Sequence, residues 1–403
     1  MSVVLLGTLD TKGHEIAFVR EQLAACGIAA LVIDAGSLGE PTIVADVARR
    51  NVFAAAGTSL EAVARAGDRG KAVEAAARGA TKLVLELHAR GQVDGILALG
   101  GSAGTTIGSA AMRALPFGIP KLMVSTLASG QVKHFVGVRD LLMMHSVVDL
   151  AGLNRFSRTV LANAAHAMAG MVSNAVAAAI VDKPLIAATM FGVTTPCVSA
   201  AQKLLEANDY EVLVFHATGT GGMTMESFIA DGLIAGVLDI TTTELADELV
   251  GGILSAGPNR MTAAAMRGIP QVISVGALDM VNFGPLETVP EKFKGRRFYQ
   301  HNANVTLMRT TPAENDKLGK EIAEKASAAR GPTAVLLPRR GVSAIDKEGE
   351  PFYWPEADAA LFQSINNWAG PQVKIIELDL HINDAAFAHK AAETLLEMIR
   401  TKA

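Results

Sequence analysis

Two short stretches combine glycines, hydroxyls and charge in the way that anionic ligands require. In "GTLDTKG", from Gly7 to Gly13, Thr8 and Thr11 offer hydroxyls, Lys12 a cation for phosphate or carboxylate, and Asp10 an acceptor for a ribose hydroxyl or a metal-bound water. In "GGSAGTT", Gly100, Gly101 and Gly104 let backbone N–H groups approach an anion, and Ser102, Thr105 and Thr106 add hydroxyls beside a helix that begins near Thr105. The second stretch reads as the better phosphate cradle. Each also has a structural explanation: a helix cap at Asp10 or Thr11, and a tight strand-to-helix turn at the glycines. Neither carries the GxxxxGK or GxGxxG signature, so a P-loop and a standard dinucleotide site are disfavoured.

Two further stretches carry histidine and acid. "HATGTGG" sets His216 before Gly219, Thr220, Gly221 and Gly222, a loop suited to a second anionic group with His216 as acid, base or hydrogen-bond donor. In "ELDLHIND", a continuous strand would place Glu377, Asp379 and His381 on one face, either as a divalent-metal or wet-cleft wall or as a plain solvent-facing edge. Glu244 in "TTTE" and Glu314 in "TPAE" each fit a capping box with the threonine three residues before. Cys197 reads as a buried, inert thiol, and Ser343 after "LLPRRGV" lacks a nucleophile motif.

These loops need strands and helices to hold them, and the chain supplies both in alternation. "VVLLG" is a strand, "HEIAFVREQLAACG" puts Ile16, Val19 and Leu23 on one helical face, and "AALVIDAG" returns as a second strand ending at Asp34. A glycine-punctuated stretch at "AGDRGKA" leads to a helix through about Arg90, then to the strands "GILALG" and "IPKLMVST". Uninterrupted apolar strands separated by helices predict parallel sheets covered on both faces. The second half repeats the logic with "PLIAATMFG", "YEVLVFHATGTGG", "GVLDITTTE", "GGILSAG", "PQVISVG", "TAVLLP" and "VKIIELDLHIND" read as strands and strand ends.

The expected architecture is therefore two Rossmann-like α/β domains with mostly parallel sheets flanked by helices, over residues 1–182 and 183–403. Gly95 to Ser125 also lies beside Gly252 to Val275, sharing Gly-Ile-Leu, Ala-Ala-Met-Arg and Gly-Ile-Pro in order, which suggests internal duplication. The segment from Val160 to Val181 has no charge and almost spanning length. Its alanines and its Asn163, His166, Ser173 and Asn174 argue for a buried helix and against a membrane span.

With 403 residues, half of them hydrophobic, the chain has ample material for two cores. A net charge of -4 and the absence of any Lys/Arg run give no footprint for nucleic acid, which leaves small molecules as the expected partners. Two widely spaced cysteines form no disulfide framework and no CxxC pair, as in a reducing cytoplasm.

Read together and in order over nearly the whole chain, "GTLDTKG", "AGDRGKA", "LGGSAGTT", "MFGVTTPCV", "FHATGTGG", "DITTTELADEL", "LSAGPNR", "GALDMVNFGP", "HNANVTLMRTT" and "DLHIND" resemble the Tm-one-like ATP-binding family. The resemblance implies a two-domain Rossmann-like protein that binds ATP and forms a homodimer; Mg²⁺ is the ion expected beside the nucleotide. It places the nucleotide at Gly7, Thr8, Asp10, Thr11 and Lys12 and at Gly100, Gly101, Ser102, Gly104, Thr105 and Thr106. The leading functional expectation is an ATP-binding enzyme of small-molecule metabolism. Its second ligand would lie near Gly219 to Gly222 and His301 in a cleft between domains, with His216, Glu244 and His381 as acid/base candidates. A nucleotide-gated binding protein without turnover, and a nucleotide-independent hydrolase or lyase of small organic acids, are the alternatives.

Overall fold

The computed structural model describes residues 1–174 and 183–402, with the side chain of residue 402 outside the description. The chain divides into two compact units, Met1–Ala179 and Ile180–Ala403.

The first unit runs β1 (Ser2–Gly7), α1 (Leu9–Ala25), β2 (Ala29–Asp34), α2 (Arg49–Ala55), α3 (Leu60–Ala66), α4 (Arg69–Ala89), β3 (Gly95–Gly100), α5 (Ser102–Ala114), β4 (Lys121–Ser125), α6 (Lys133–Val136), β5 (Leu142–His145) and α7 (Arg155–Ser173). Its five strands are all parallel, in the order β2-β1-β3-β4-β5. Alternate residues of the same strand serve opposite cores. Val3 and Leu5 join Ile16, Val19, Leu23, Leu161 and Met168 of α1 and α7. Val4 and Leu6 join Val52, Phe53, Ala76, Ile107 and Met112 of α2, α4 and α5. Because both faces are buried, the strands read as unbroken apolar runs. The apolar segment beginning at Val160 is helical through Ser173 and buries Leu161, Ala165 and Met168; its remainder from 175 on lies outside the described residues. Among the described residues no helix is long and apolar enough to cross a membrane.

The second unit runs β6 (Leu185–Met190), α8 (Thr195–Glu206), β7 (Glu211–His216), α9 (Thr220–Ala230), β8 (Gly236–Thr241), α10 (Thr243–Val250), α11 (Ala263–Arg267), β9 (Gln271–Gly276), β10 (Met280–Phe283), β11 (Phe298–Asn302), β12 (Val305–Arg309), α12 (Pro312–Ser327), β13 (Thr333–Pro338), α13 (Pro355–Trp368), β14 (Lys374–Leu378) and α14 (Ala385–Lys402). Six strands form a parallel sheet, β14-β13-β9-β8-β6-β7, and three form an antiparallel sheet, β10-β12-β11, which the strand signals had not distinguished. Helices α8 and α14 cover one face of the large sheet with Cys197, Ala201, Phe387 and Leu395. Helices α12 and α13 cover the other with Leu318, Ile322, Leu361 and Ile365.

Both sheets are wound alike. In each, the first strand pairs the second on one side and the third on the other, so the sequence of winding is 2-1-3-4-5, with a sixth strand in the second unit. The topology pairs β4 with β9, as the shared Gly-Ile-Pro suggested, but the counterpart of β3 is β8. The Gly-Ile-Leu at Gly252 to Leu254 that the sequence aligned with β3 is a turn, not a strand. Its backbone is held from outside, with the Leu254 N–H donating to Asp247.

Of the two expected capping boxes, Thr311 and Glu314 form one in full at α12, each side chain accepting from the other's backbone N–H. Thr311→Ala is expected to cost about 1 kcal/mol in urea unfolding. The other is absent: Thr241 is the last residue of β8, and the helix is preceded by Thr242, which makes no side-chain cap.

Candidate functional site

In the first unit the switch in strand order falls between β1 and β3, which pair in parallel with Leu6 opposite Ala98. Their carboxyl ends therefore bring Gly7–Thr11 and Gly100–Ala103 side by side, where open α/β sheets bind ligands. Thr8, Asp10 and Thr11 of the first stretch and Ala103 of the second line one crevice with Ser37, Leu38 and Arg69; Gly100, Gly101, Ser102, Gly104, Thr105 and Thr106 are not part of its lining.

Helix α1 starts at Leu9, so Asp10, Thr11 and Lys12 form its first turn and not a free loop. The Leu9 N–H is capped by Asp34 from the end of β2 at 3.0 Å, and the same oxygen accepts from Gly36 at 2.8 Å. Burial raises the Asp34 pKa, and these two N–H groups oppose the shift. Asp10 uses Oδ2 to accept from the Leu38 N–H at 2.8 Å, while its buried Oδ1 has no partner among the described residues. The Thr8 and Thr11 hydroxyls lie 2.9 Å apart. Lys12 leaves helical geometry, at φ -128°, and its Nζ sits 3.5 Å from the Thr11 carbonyl. The cation that lines the crevice is Arg69, at the first position of α4, which makes no ion pair among the described residues.

Helix α5 begins at Ser102, three residues before the expected start, and Gly101 at its N-cap leaves the first turn without a side-chain cap. A Cβ on Gly100 would stand 2.9 Å from the Gly104 Cα, so these glycines seat the helix against the strand end. Thr105 is turned inward, its hydroxyl 2.7 Å from Ser125 Oγ, and Thr106 donates back to the Ser102 carbonyl at 2.9 Å. Both hydroxyls thus have internal partners, and the anion-facing groups of α5 are its N-terminal N–H groups. The crevice encloses about 70 Å³.

In the second unit the corresponding switch point, between β6 and β8, is filled from within. Arg260 is fully buried; its Nη1 and Nη2 each donate to Asp239 at 2.6 Å and its Nε donates to Glu244 at 2.7 Å. Burial opposes that charge, yet Asp239, Glu244 and Glu226 hold the Arg260 pKa well above its ordinary value. The anion cradle read in "HATGTGG" exists, and its anion is internal: Gly219 and Gly222 donate their N–H groups to Glu244 Oε1 at 2.7 and 3.0 Å. A Cβ on Gly222 would meet Glu244 Oε2 at 2.1 Å, which is why the position is glycine. Gly221 packs on the His216 carbonyl, and Thr220 opens α9.

The three acid/base candidates are not brought into one hydrogen-bonded group. Glu244 is locked to Arg260, and His216 is exposed at the end of edge strand β7, its ring 5.4 Å from that of Phe191. His381 has both ring nitrogens engaged: Nδ1 accepts from the Asn383 N–H at 3.1 Å, so Nε2 carries the proton it donates to the Ser343 carbonyl at 2.9 Å. The face expected for Glu377, Asp379 and His381 does not form, because β14 ends at Leu378. Glu377 pairs with Arg339 and Asp379 with Arg340. His301 lies on exposed edge strand β11 of the antiparallel sheet. Cys197 is buried and its thiol is pushed up to about 12 by burial, so it is inert. No group of three or more His, Cys, Asp or Glu is placed to hold a metal among the described residues.

Residues 1–177 match the N-terminal domain, and residues 183–399 the C-terminal domain, of an uncharacterised protein family, UPF0261. The chain belongs to this family. A UPF0261 protein of Clostridium tetani is 51% identical over 98% of both chains. The ToMV resistance protein Tm-1 of Solanum lycopersicum is 41% identical over 98% of this chain, which spans 55% of the tomato protein. Among solved structures, UDP-N-acetylglucosamine 2-epimerase from Rickettsia bellii aligns over 100% of this chain and 96% of its own at 9% identity, with a TM-score of 0.22, too low to carry any argument.

In this UPF0261 chain the strand-end loops were legible because glycine and hydroxyl residues follow apolar runs. Arg69 was missed. "AGDRGKA" reads as polar punctuation, and only the packing of α4 against α5 sets that arginine beside β1 and β3.

Proposed function

We propose that the first unit binds ATP at the β1/β3 switch point, with phosphate oxygens on the uncapped N-terminus of α5 and on Arg69, and the Asp10 carboxylate facing a donor. The observation that supports this reading is the convergence at one crevice of an open helix N-terminus, an arginine without an ion pair among the described residues, and the Asp10 side chain, whose buried Oδ1 has no partner among those residues. A carboxylate repels phosphate, so Asp10 suits a ribose hydroxyl or water on a phosphate-bound Mg²⁺, which commonly takes one or two carboxylates. A volume of about 70 Å³ is well below the ~300–1,000 Å³ of small-molecule pockets, so part of the nucleotide extends beyond the crevice.

Calorimetric titration with ATP, with and without Mg²⁺, tests the site. Arg69→Ala is expected to weaken binding about ten- to a hundredfold through loss of charge-assisted hydrogen bonds. Asp10→Ala is expected to remove the Mg²⁺ dependence or the preference for ribose over deoxyribose. Unchanged affinity in both variants would sink the assignment.

A second reading, a nucleotide-gated protein without turnover, is favoured by the internal use of Glu244 and of both His381 ring nitrogens. Phosphate release on incubation with ATP and a metabolite panel would decide for the enzyme.

A further inference from the structure

We propose that the second unit carries a separate site for a small organic acid or phosphate ester at the carboxyl edge of β13 and β14. A crevice of about 800 Å³ opens there, large enough for a metabolite. Arg339, Arg340 and Lys347 supply three cations to its walls, Tyr353 and Phe362 supply apolar surface, and Glu348, Asp358 and Asp384 supply carboxyl groups, so an acid would be held by the cations' open donors and not by a net positive charge.

Those cations are available to a ligand. Arg340 donates Nε and Nη2 to Asp379 at 2.9 and 2.8 Å, in an exposed pair of the kind that contributes little to stability, and further N–H donors of the guanidinium stay open. Arg339 pairs with Glu377 through one nitrogen and stacks over Phe362. Lys347 makes no ion pair among the described residues. An acid group would take these donors while its carbon body lies on Phe362 and Tyr353.

The segment from Arg339 to Trp354 that builds the wall is held by a costly buried network. Arg309, fully buried, donates to the Phe352 carbonyl at 2.7 Å, to Asp358 at 2.6 Å and to Asp346 at 3.4 Å. Ser343 donates to buried Asp279 at 2.7 Å, and Asp346 accepts from the Val342 N–H at 3.1 Å. An apolar core would hold a plain connection at lower desolvation cost. A network that fixes one loop conformation is what a preorganised binding wall requires. The switch point of this sheet is already filled by Arg260, whereas the β13/β14 edge opens on a crevice.

The chain has two tryptophans, and Trp354 lies in sequence between the lining residues Tyr353 and Pro355, so the full-length Trp368→Phe protein reports on the site through Trp354 fluorescence. Malate and citrate probe the carboxylate arm, inorganic phosphate and glycerol 3-phosphate the phosphate arm, and glycerol is the uncharged control. A saturable response to at least one acid and none to glycerol is expected. Lys347→Glu and Arg340→Gln should each weaken it about ten- to a hundredfold with unliganded melting unchanged, and Arg69→Ala should leave it intact. No saturable response to any acid at millimolar concentration, or a response in both wall variants as strong as in the Trp368→Phe parent, would overturn the proposal.

Discussion

Arg260→Met is expected to lower the unfolding free energy of the second unit by about 3–5 kcal/mol, the cost of removing one partner from a buried ion cluster. The guanidinium stands between Asp239 on β8, Glu244 on α10 and Glu226 on α9, at 2.6, 2.7 and 3.5 Å. Without it Glu244 keeps the two N–H groups of Gly219 and Gly222, and Glu226 keeps those of Met261, Thr262 and Ala263. Among the described residues Asp239 keeps the Thr189 hydroxyl alone. Arg260→Lys preserves charge but cannot span Asp239 and Glu244 with one planar fork, so it should fall between the wild type and Arg260→Met. Urea unfolding gives the magnitude, and hydrogen exchange in β8 and β9 gives the location. A loss below about 1 kcal/mol would show that the cluster relaxes around the gap.

The second large effect is on pH dependence. Asp279 is buried, its Oδ1 has no partner among the described residues, and burial followed by the nearby Asp346 carboxylate pushes its pKa up to about 8. Asp358 is pushed up to about 7 by burial and Asp346. Three carboxyl groups around Arg309 exceed the charge it can balance, so the folded state retains protons that the unfolded chain releases above ~pH 4. The folded state thus binds more protons across this window, and the stabilisation is complete below ~pH 4 and lost as pH rises toward about 8. Asp247, pushed up to about 7 by burial, acts in the same sense. Asp279→Asn removes its share of the slope. Between pH 5 and pH 8.5 its melting curve should be flatter than that of the wild type, with a gain on the order of a few kcal/mol at the alkaline end. Parallel curves for the two proteins would place the retained proton elsewhere.

The chain shows unevenly how much of such a protein is written locally. Val3 to Gly7, Gly95 to Gly100 and Thr333 to Pro338 announce themselves as buried parallel strands because every residue meets a core on one face or the other. Ile16, Val19 and Leu23 mark α1 by their spacing, and Thr311 with Glu314 marks the start of α12. Helix starts were placed late at Leu9 and Ser102, since a glycine-rich first turn reads as loop when no side-chain cap signals it. "ELDLHIND" alternates like a strand, yet Glu377 and Asp379 turn to Arg339 and Arg340, residues 38 and 39 positions away that no local pattern connects.

By itself the sequence determined the class of fold, two α/β units of parallel strands, and the strand-end loops where glycines gather, because hydrophobic period and glycine geometry are properties of neighbours in the chain. Only the tertiary structure decided which loop is open and which is filled. Gly100 to Gly104 and Gly219 to Gly222 each carry three glycines and one hydroxyl residue. One set opens on a crevice with Arg69, while the other closes on Glu244, held there by Arg260. That difference rests on long-range charge pairing, and it sets the sites for testing at Arg69 in the first unit and Lys347 in the second.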